Sequence, residues 1–299
     1  MPKVCYTPKN FHHLSLVRIS QANSIITAYT AQGFKLTLRQ LYYQFVSRDL
    51  IPNTMRSYKQ LGEVINDGRL AGMIDWNAIE DRTRNMRCNS HWSSPNEIVG
   101  ACARQFRFDL WADQDNYCEV WVEKDALVGV LEGICTELDT PYFACRGYTS
   151  QSEMWAAAQR LIGCEDEGKR TFIIHLGDHD PSGIDMTRDI QDRLRLFESE
   201  VEVRRIALNF DQVENYNPPP NPAKTTDARY ETYRALHGEE SWELDALEPR
   251  VIVDLIRDEV ESLLDMDVWE ESVGRQEEAR RQLETVSSQW DKVVERFCR

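Results

Sequence analysis

The sequence contains no apolar run close to the ~20 residues that a helix needs to cross a bilayer. Its first residues, MPKVCYTPKNFHH, contain no apolar segment of a secretory signal. We therefore expect a cytoplasmic protein without a membrane partner. The 8 cysteines include no CxxC pair, so we expect reduced and mostly buried thiols. Cys88 and His91 have a spacing that resembles metal ligation, but no second pair of matching spacing accompanies them.

The chain also lacks the overall positive charge that is common in nucleic-acid-binding proteins, because its formal net charge is −15. The charge is unevenly distributed, however. Residues 1–110 contain 14 Lys and Arg against 8 Asp and Glu, whereas the remaining residues contain 21 against 42. Such an asymmetry favours contact between the basic segment and nucleic acid, although an uneven surface without functional meaning has the same composition.

The basic segment has apolar residues at helical spacing. The predicted elements are a helix Phe11–Thr30, a short strand Phe34–Leu36, a helix Leu38–Leu50 with Thr37 as N-cap, a helix Tyr58–Ala71 and, after a polar surface loop, a helix Glu97–Phe108. Compact helices with a short strand between them, in a basic segment, indicate a winged-helix or related helix-turn-helix domain.

From Cys118 onward, apolar strands alternate with helices. The predicted elements are strands Cys118–Lys124, Tyr142–Cys145, Thr171–Gly177 and Val201–Leu208 and helices Ala126–Leu138, Ser152–Ile162 and Ile184–Phe197. This alternation is typical of an α/β fold with a parallel sheet, in which functional groups lie just past the carboxyl ends of the strands. YNPPPNPAK is predicted to be a rigid loop, and the acidic residues from Trp242 onward have a helical pattern.

Three carboxylates follow two of these predicted strands. Glu123 ends CEVWVEK, and Asp178 and Asp180 occur in LGDHDPSG. Like charges gathered in one pocket are costly unless a cation lies between them, and Mg²⁺ prefers such oxygen ligands. The alternative is an Asp-rich turn in which Asp178 or Asp180 caps the next helix.

A pair of tyrosines follows an arginine in TLRQLYYQF. Arg39 and Tyr43 are four residues apart, so they share a helix face. A guanidinium beside a phenol can bind a phosphate and stabilise the phenolate that attacks a phosphodiester. The alternative is that both rings belong to an apolar core, and for Tyr42 this is what we expect.

The R-x-x-Y-Y helix, followed by V-E-K and then D-x-D-P-x-G on a Rossmann-like sheet, resembles the A subunit of type IIB topoisomerases (topoisomerase VI), a family that includes the meiotic double-strand-break protein. The three motifs occur in family order and span nearly the whole chain. The compact length is most similar to the stand-alone "Mini-A" group from bacteria, plasmids and phages.

The resemblance implies an N-terminal winged-helix (CAP-like) domain over residues 1–112 and a C-terminal Toprim domain, Rossmann-like with a parallel sheet, over residues 113–299. It also implies the catalytic pair Tyr43 and Arg39, with Tyr43 as nucleophile. The implied ligands of Mg²⁺, for which Mn²⁺ can substitute, are Glu123, Asp178 and Asp180.

Three neighbours of these residues carry further expectations. Gln40 stands where relatives commonly have an acidic residue, which is a departure from the family pattern beside the nucleophile. His179 is expected to point away from the metal. Lys124 is expected to be a surface lysine rather than a phosphate contact.

The family's activity implies cleavage of double-stranded DNA by a nucleoid-associated homodimer. The tyrosine of one protomer meets the metal site of the other and becomes joined to a 5′ end. Strand passage in topoisomerase VI needs a separate ATPase B subunit, and this chain has neither a GxGxxG motif nor a P-loop. The alternatives are a Toprim nuclease that uses metal-activated water and a non-catalytic DNA-binding protein.

The polar stretch after Glu80 contains candidates for contact with DNA. Arg82, Arg84 and Arg87 lie close together there. We expect them to contact phosphates, although three arginines at this spacing also occur on ordinary solvated surfaces.

Overall fold

The computed structural model describes residues 3–79 and 89–297. The N-terminal part contains the helices α1 (His13–Thr30), α2 (Leu38–Ser47), α3 (Met55–Leu70) and α4 (Pro95–Gln105). The predicted cap of α2 is confirmed: the Gln40 N–H donates to Thr37 Oγ1 (3.2 Å), and the Thr37 N–H donates to Gln40 Oε1 (2.9 Å). Gln40 thus closes a capping box at the start of the helix that carries both tyrosines.

The predicted strand at Phe34–Leu36 is only an extended segment in the described residues, where Leu36 forms an isolated bridge with Ile79. Its side chains pack instead into a core formed by α1, α2 and α3, in which Leu41, Phe45 and Ile19 are almost completely buried.

The C-terminal part is built on a sheet of four parallel strands. They are β1 (Asn116–Val122), β2 (Tyr142–Ala144), β3 (Arg170–Leu176) and β4 (Glu202–Ala207), in the order β2-β1-β3-β4. The connecting helices are α5 (Val128–Glu137), α6 (Gln151–Asp166) and α7 (Pro181–Leu196). The α/β class with a parallel sheet is therefore confirmed.

Alternate residues of the central strands fill two separate cores, because successive side chains of a strand point to opposite faces. Val120 and Ile174 pack on one side with residues of α5. Trp121 and Ile173 pack on the other side with residues of α6 and α7. A sheet that is covered on both faces explains the continuous apolar sequence of its strands.

The remaining elements follow β4 in the chain. They are α8 (Phe210–Tyr216), β5 (Asn221–Pro222), α9 (Tyr230–His237), β6 (Glu240–Ser241), α10 (Pro249–Glu261), α11 (Met266–Ser288) and α12 (Trp290–Phe297). The proline-rich segment predicted as a loop is irregular except that β5 pairs with β6 in an antiparallel ribbon. No helix within the described ranges has the length and apolar character needed to span a bilayer.

A short segment after β6 joins the sheet to the N-terminal helices. A single 3₁₀ turn, Leu244–Ala246, lies within it, and Ala246 packs into the N-terminal core. The Tyr29 hydroxyl donates a hydrogen bond to Glu248 just beyond it. This joint places the tyrosine-bearing helix α2 close to the carboxyl end of the sheet.

Candidate functional site

Two of the predicted metal ligands lie together at the carboxyl ends of β1 and β3. The Glu123 N–H donates to the Leu176 carbonyl (2.8 Å), which continues the pairing of the two strands. The Asp178 N–H in turn donates to Glu123 Oε2 (2.8 Å). As expected from parallel strands, Glu123 and Asp178 are neighbours.

Asp180 acts as the N-cap of α7. Its Oδ1 accepts hydrogen bonds from the Gly183 N–H (2.6 Å) and the Ser182 hydroxyl (2.9 Å). Its Oδ2 lies 3.9 Å from the ammonium of Lys224. The capping role that the sequence left open is therefore present, while the second oxygen faces the Lys224 ammonium.

The chemistry of these donors fits a hard divalent cation, because carboxylate oxygens are what Mg²⁺ prefers. Two glycines make room around Glu123 Oε2: a Cβ at Gly177 or at Gly183 would lie 3.1 Å from this oxygen. Over residues 3–79 and 89–297, no three His, Cys, Asp or Glu side chains are grouped closely enough to hold a metal ion. These residues therefore fit a divalent cation in the type of their donor atoms and in the space around Glu123 Oε2.

Lys124 lies among the carboxylates of this region. Its ammonium is 2.8 Å from Asp178 Oδ2, 2.8 Å from Glu243 Oε2 and 3.1 Å from Asp245 Oδ1. The prediction of a surface lysine was wrong, since its side chain is only 20% exposed. Burial lowers the pKa of Lys124, but the three carboxylates outweigh burial and raise this pKa overall.

The same environment shifts the pKa of the carboxylates. Burial raises the pKa of Asp178 to about 7, although Lys124 opposes the shift. Burial also acts to raise the pKa of Glu243, but Lys124 and then Arg39 lower it to about 2. Glu243 therefore remains ionised at neutral pH, whereas Asp178 gains or loses its proton close to neutral pH.

Arg39 and Tyr43 share one face of α2, as predicted. The guanidinium carbon of Arg39 is 5.8 Å from the centroid of the Tyr43 ring. The arginine also pairs with Glu243, and its Nε is 3.1 Å from Asp245 Oδ2. Burial and then the charges of Asp245 and Glu243 raise the pKa of Tyr43, against the influence of Arg39.

Both tyrosines are buried, and they differ in their partners. Tyr42 is 5% exposed, and its hydroxyl donates to Asn53 Oδ1 (2.9 Å). This packing agrees with the structural role expected for Tyr42. Tyr43 is 4% exposed and packs in the same core, but its ring lies beside the Arg39 guanidinium and borders the same cavity as Glu243.

These contacts form one continuous path between the two predicted sites. Arg39 lies beside the Tyr43 ring and pairs with Glu243, which shares the Lys124 ammonium with Asp178. The Leu244 N–H adds a hydrogen bond to Asp178 Oδ1 (2.8 Å). The tyrosine helix and the acidic end of the sheet are therefore joined within a single chain.

Sequence reasoning missed Glu243 and Asp245, which make this connection. They lie in the segment SWELDALEP, whose sequence shows only a helical and acidic pattern. The segment is held in place by a two-residue bridge, in which the His179 N–H donates to the Trp242 carbonyl (2.8 Å) and the Trp242 N–H donates back (2.9 Å). Two acidic residues two positions apart in the sequence were the available signal.

Arg205 is a second residue that was missed. Its guanidinium donates to the carbonyls of Gly177 (3.0 Å), Asp178 (2.6 Å), Gly183 (2.9 Å) and Leu208 (3.1 Å). Burial lowers the pKa of Arg205 to about 10. This arginine fixes the backbone of the loop that carries the two aspartates, and its position near the end of β4 was the available signal.

His179 points away from the carboxylates, as expected. Its Nδ1 is 2.9 Å from the Tyr233 hydroxyl, and its ring packs against Phe210, His237 and Trp242. Alternation along the loop thus separates its side chain from those of the two aspartates.

Several predicted features lie outside the described residues. They are the phosphate contacts Arg82, Arg84 and Arg87 and the cysteine of the Cys88–His91 pair.

A cavity of about 260 Å³ lies beside Tyr43. It is lined by Arg39, Tyr42, Tyr43, Asn53, Thr54, Met55, Tyr58, Asn221, Pro222 and Glu243. The candidate nucleophile therefore borders a space large enough to hold part of a substrate.

The chain matches no protein-family model and no curated protein.

Proposed function

We propose that this protein cleaves double-stranded DNA by transesterification, with Tyr43 as the nucleophile and Mg²⁺ at Glu123, Asp178 and Asp180. In this proposal residues 1–112 form the winged-helix domain and residues 113–299 the Toprim domain of a type IIB topoisomerase A-like homodimer. One observation carries the proposal: the contacts Tyr43–Arg39–Glu243–Lys124–Asp178 join the tyrosine to the acidic end of the sheet.

Arg39, Tyr43 and the metal ion have different roles in the proposed reaction. Arg39 binds the scissile phosphate and stabilises the phenolate of Tyr43. The Tyr43 oxygen forms a bond to phosphorus while the bond from phosphorus to the 3′ oxygen breaks. The phenolic proton passes to water, and the departing 3′ oxygen takes up a proton from water. When bound, Mg²⁺ stabilises the charge that develops on the phosphate.

Glu243 and Asp245 orient the arginine for this task. Both carboxylates contact the Arg39 guanidinium, so its planar fork is held on the Tyr43 side of α2. Strand passage would still need a separate ATPase B-type subunit, so the chain by itself cuts and holds DNA ends.

A second candidate is a Toprim nuclease in which metal-activated water attacks the phosphate. The burial of Tyr43, which is 4% exposed, and the upward shift of its pKa favour this candidate. The two reactions leave different products: a tyrosine nucleophile stays covalently attached to a 5′ end, whereas water leaves two free ends.

The test is a denaturing gel of labelled duplex DNA incubated with protein and Mg²⁺ or Mn²⁺. Wild-type protein is expected to form a covalent adduct, and Tyr43→Phe is expected to form none, because only the attacking oxygen is removed. Tyr42→Phe is the matched control and should retain most of the activity, since its hydroxyl contacts Asn53. Equal strand cutting by wild type and Tyr43→Phe would eliminate the tyrosine mechanism and leave the water-activating nuclease.

A further inference from the structure

The cavity beside Tyr43 has aromatic walls. The Tyr42 ring stands edge-on to both other tyrosine rings, with centroid distances of 5.3 Å to Tyr43 and 5.3 Å to Tyr58. Tyr42 and Tyr43 are buried, whereas Tyr58 is half-buried, so the Tyr58 ring has the most exposed surface of the three.

Hydrogen bonds fix the position of these walls. Asn53 accepts from the Tyr42 hydroxyl, and its Nδ2 donates to Asn221 Oδ1 (2.8 Å) and to the Pro220 carbonyl (2.8 Å). The start of α3 is thereby tied to β5, which closes the cavity from the other side. A cavity that is already formed and braced does not have to be ordered when a ligand enters, which favours binding.

The size and charge of the cavity restrict what can fill it. Its volume of about 260 Å³ lies below the roughly 300–1,000 Å³ of sites for drug-sized ligands. Among its lining residues, Arg39 and Glu243 are the only ionised pair, and they contact each other. A small, flat and neutral group fits this lining better than a second phosphate.

We propose that the cavity binds a single nucleobase that has left the base stack next to the scissile phosphate. The inference rests on the proposed function, because a phosphate that faces the Tyr43 hydroxyl is flanked on each side by a nucleoside. Aromatic side chains bind unstacked bases of any sequence through their π faces. The half-buried Tyr58 ring supplies such a face in the lining of the cavity that Tyr43 borders.

This arrangement has a consequence for which DNA is cut. A base must be unstacked before it can enter the cavity, and unstacking costs a few kcal/mol, least at mismatched or already single-stranded positions. Cleavage is therefore favoured where the duplex opens easily.

Binding can be tested without cleavage, with the full chain in EDTA and 5′-dCMP as the probe. Saturation-transfer difference NMR should show stronger saturation of the base protons than of the sugar protons. Replacing the Tyr58 ring should weaken binding about tenfold, because stacking on one aromatic ring is worth roughly that factor. Tyr58→Ala is the direct variant, and Tyr58→Leu keeps an apolar side chain of similar bulk in case the alanine variant does not fold.

Two controls identify the ring as the cause. Tyr58→Phe retains the π face and should bind as the wild type does. Tyr216→Ala removes an exposed tyrosine outside the cavity lining and should have no effect. Equal binding by wild type and Tyr58→Leu, or no saturation of the base protons in the wild type, would overturn the inference.

The outcomes separate this inference from the proposed function. Covalent adducts without nucleotide binding would remove the base site and leave the tyrosine mechanism. Nucleotide binding that depends on Tyr58, without adducts, would keep the base site and remove the tyrosine mechanism.

Discussion

Replacing Lys124 by methionine tests the charge network that joins the two parts of the site. Methionine keeps an unbranched apolar side chain and removes only the ammonium. Asp178 and Asp245 would then lie almost fully buried, at 6% and 2% exposure, without the cation that contacts both. Removing one partner of a buried ion pair costs about 3–5 kcal/mol. Arg39 still contacts Asp245, so we expect a loss near 3 kcal/mol at pH 8.

The loss should depend on pH in a definite direction. The folded-state pKa of Asp178, about 7, lies above the ~3.9 of an unperturbed aspartate. The free energy of unfolding that protonated Asp178 contributes at low pH is therefore lost as the pH rises through the folded-state pKa of this group. Without the ammonium this pKa rises further. The difference between Lys124→Met and wild type should thus be largest at pH 8 and smaller at pH 5.

The assay is urea unfolding in EDTA, followed by tryptophan fluorescence and circular dichroism at both pH values. Lys224→Met is the matched control, because Lys224 is 76% exposed and 3.9 Å from Asp180, and exposed ion pairs contribute roughly 0–1 kcal/mol. In buffer without EDTA, added Mg²⁺ should raise the urea midpoint of Lys124→Met more than that of the wild type, since the ammonium no longer competes for Asp178. A loss at pH 8 no larger than that of Lys224→Met would refute the reasoning.

Three further substitutions test other parts of the site. Asp178→Asn should remove the loss of stability between about pH 4 and 7 that the raised pKa of Asp178 causes. In EDTA, the urea midpoint should therefore fall less from pH 5 to pH 8 in the variant than in the wild type, and equal changes in both proteins would contradict this. Arg205→Lys should cost about 2–4 kcal/mol in urea unfolding, because one ammonium cannot replace a fork that donates to four carbonyls, whereas Arg204→Lys, at a partly exposed ion pair, should cost less than 1 kcal/mol. Gly183→Ala should cost about 1–3 kcal/mol, since its Cβ would lie 2.3 Å from the Asp178 carbonyl oxygen; Gly163→Ala, where a Cβ meets nothing within 4 Å, should leave the thermal midpoint unchanged or higher.

The parts of the fold that could be predicted are those with a local or periodic signal. A sheet buried on both faces requires apolar strands such as TFIIHL, so β3 and its neighbours were recognisable. The cap at Thr37 was also recognisable, because a cap depends on residues only three positions apart. The strand predicted at Phe34–Leu36 is reduced to one bridge in the described residues, since the length of a strand depends on its partner, which no local pattern shows.

The same distinction separates the residues of the candidate site that could be predicted from those that could not. Glu123 and Asp178 could be brought together in advance, because the ends of adjacent parallel strands meet at one edge of a sheet. Glu243 and Asp245 could not, since they lie 119 and 121 positions beyond Lys124. Their proximity depends on how the segment after β6 folds back over the sheet. The burial of Lys124 was missed for the same reason: a lysine is buried only when carboxylates from elsewhere in the chain surround it.

The ion pair between Arg39 and Glu243 also affects how two copies of the chain would assemble. The two residues are 204 positions apart, yet they pair within one chain. A homodimer in which the tyrosine of one protomer meets the metal site of the other has to exchange this pair between protomers. Partners tethered in one molecule have an effective concentration on the order of millimolar, so at micromolar protein the internal pair is favoured roughly a thousandfold. Raising the protein concentration is therefore a weak way to drive the exchange, whereas a ligand that spans both protomers, such as duplex DNA, removes this disadvantage by tethering them to each other.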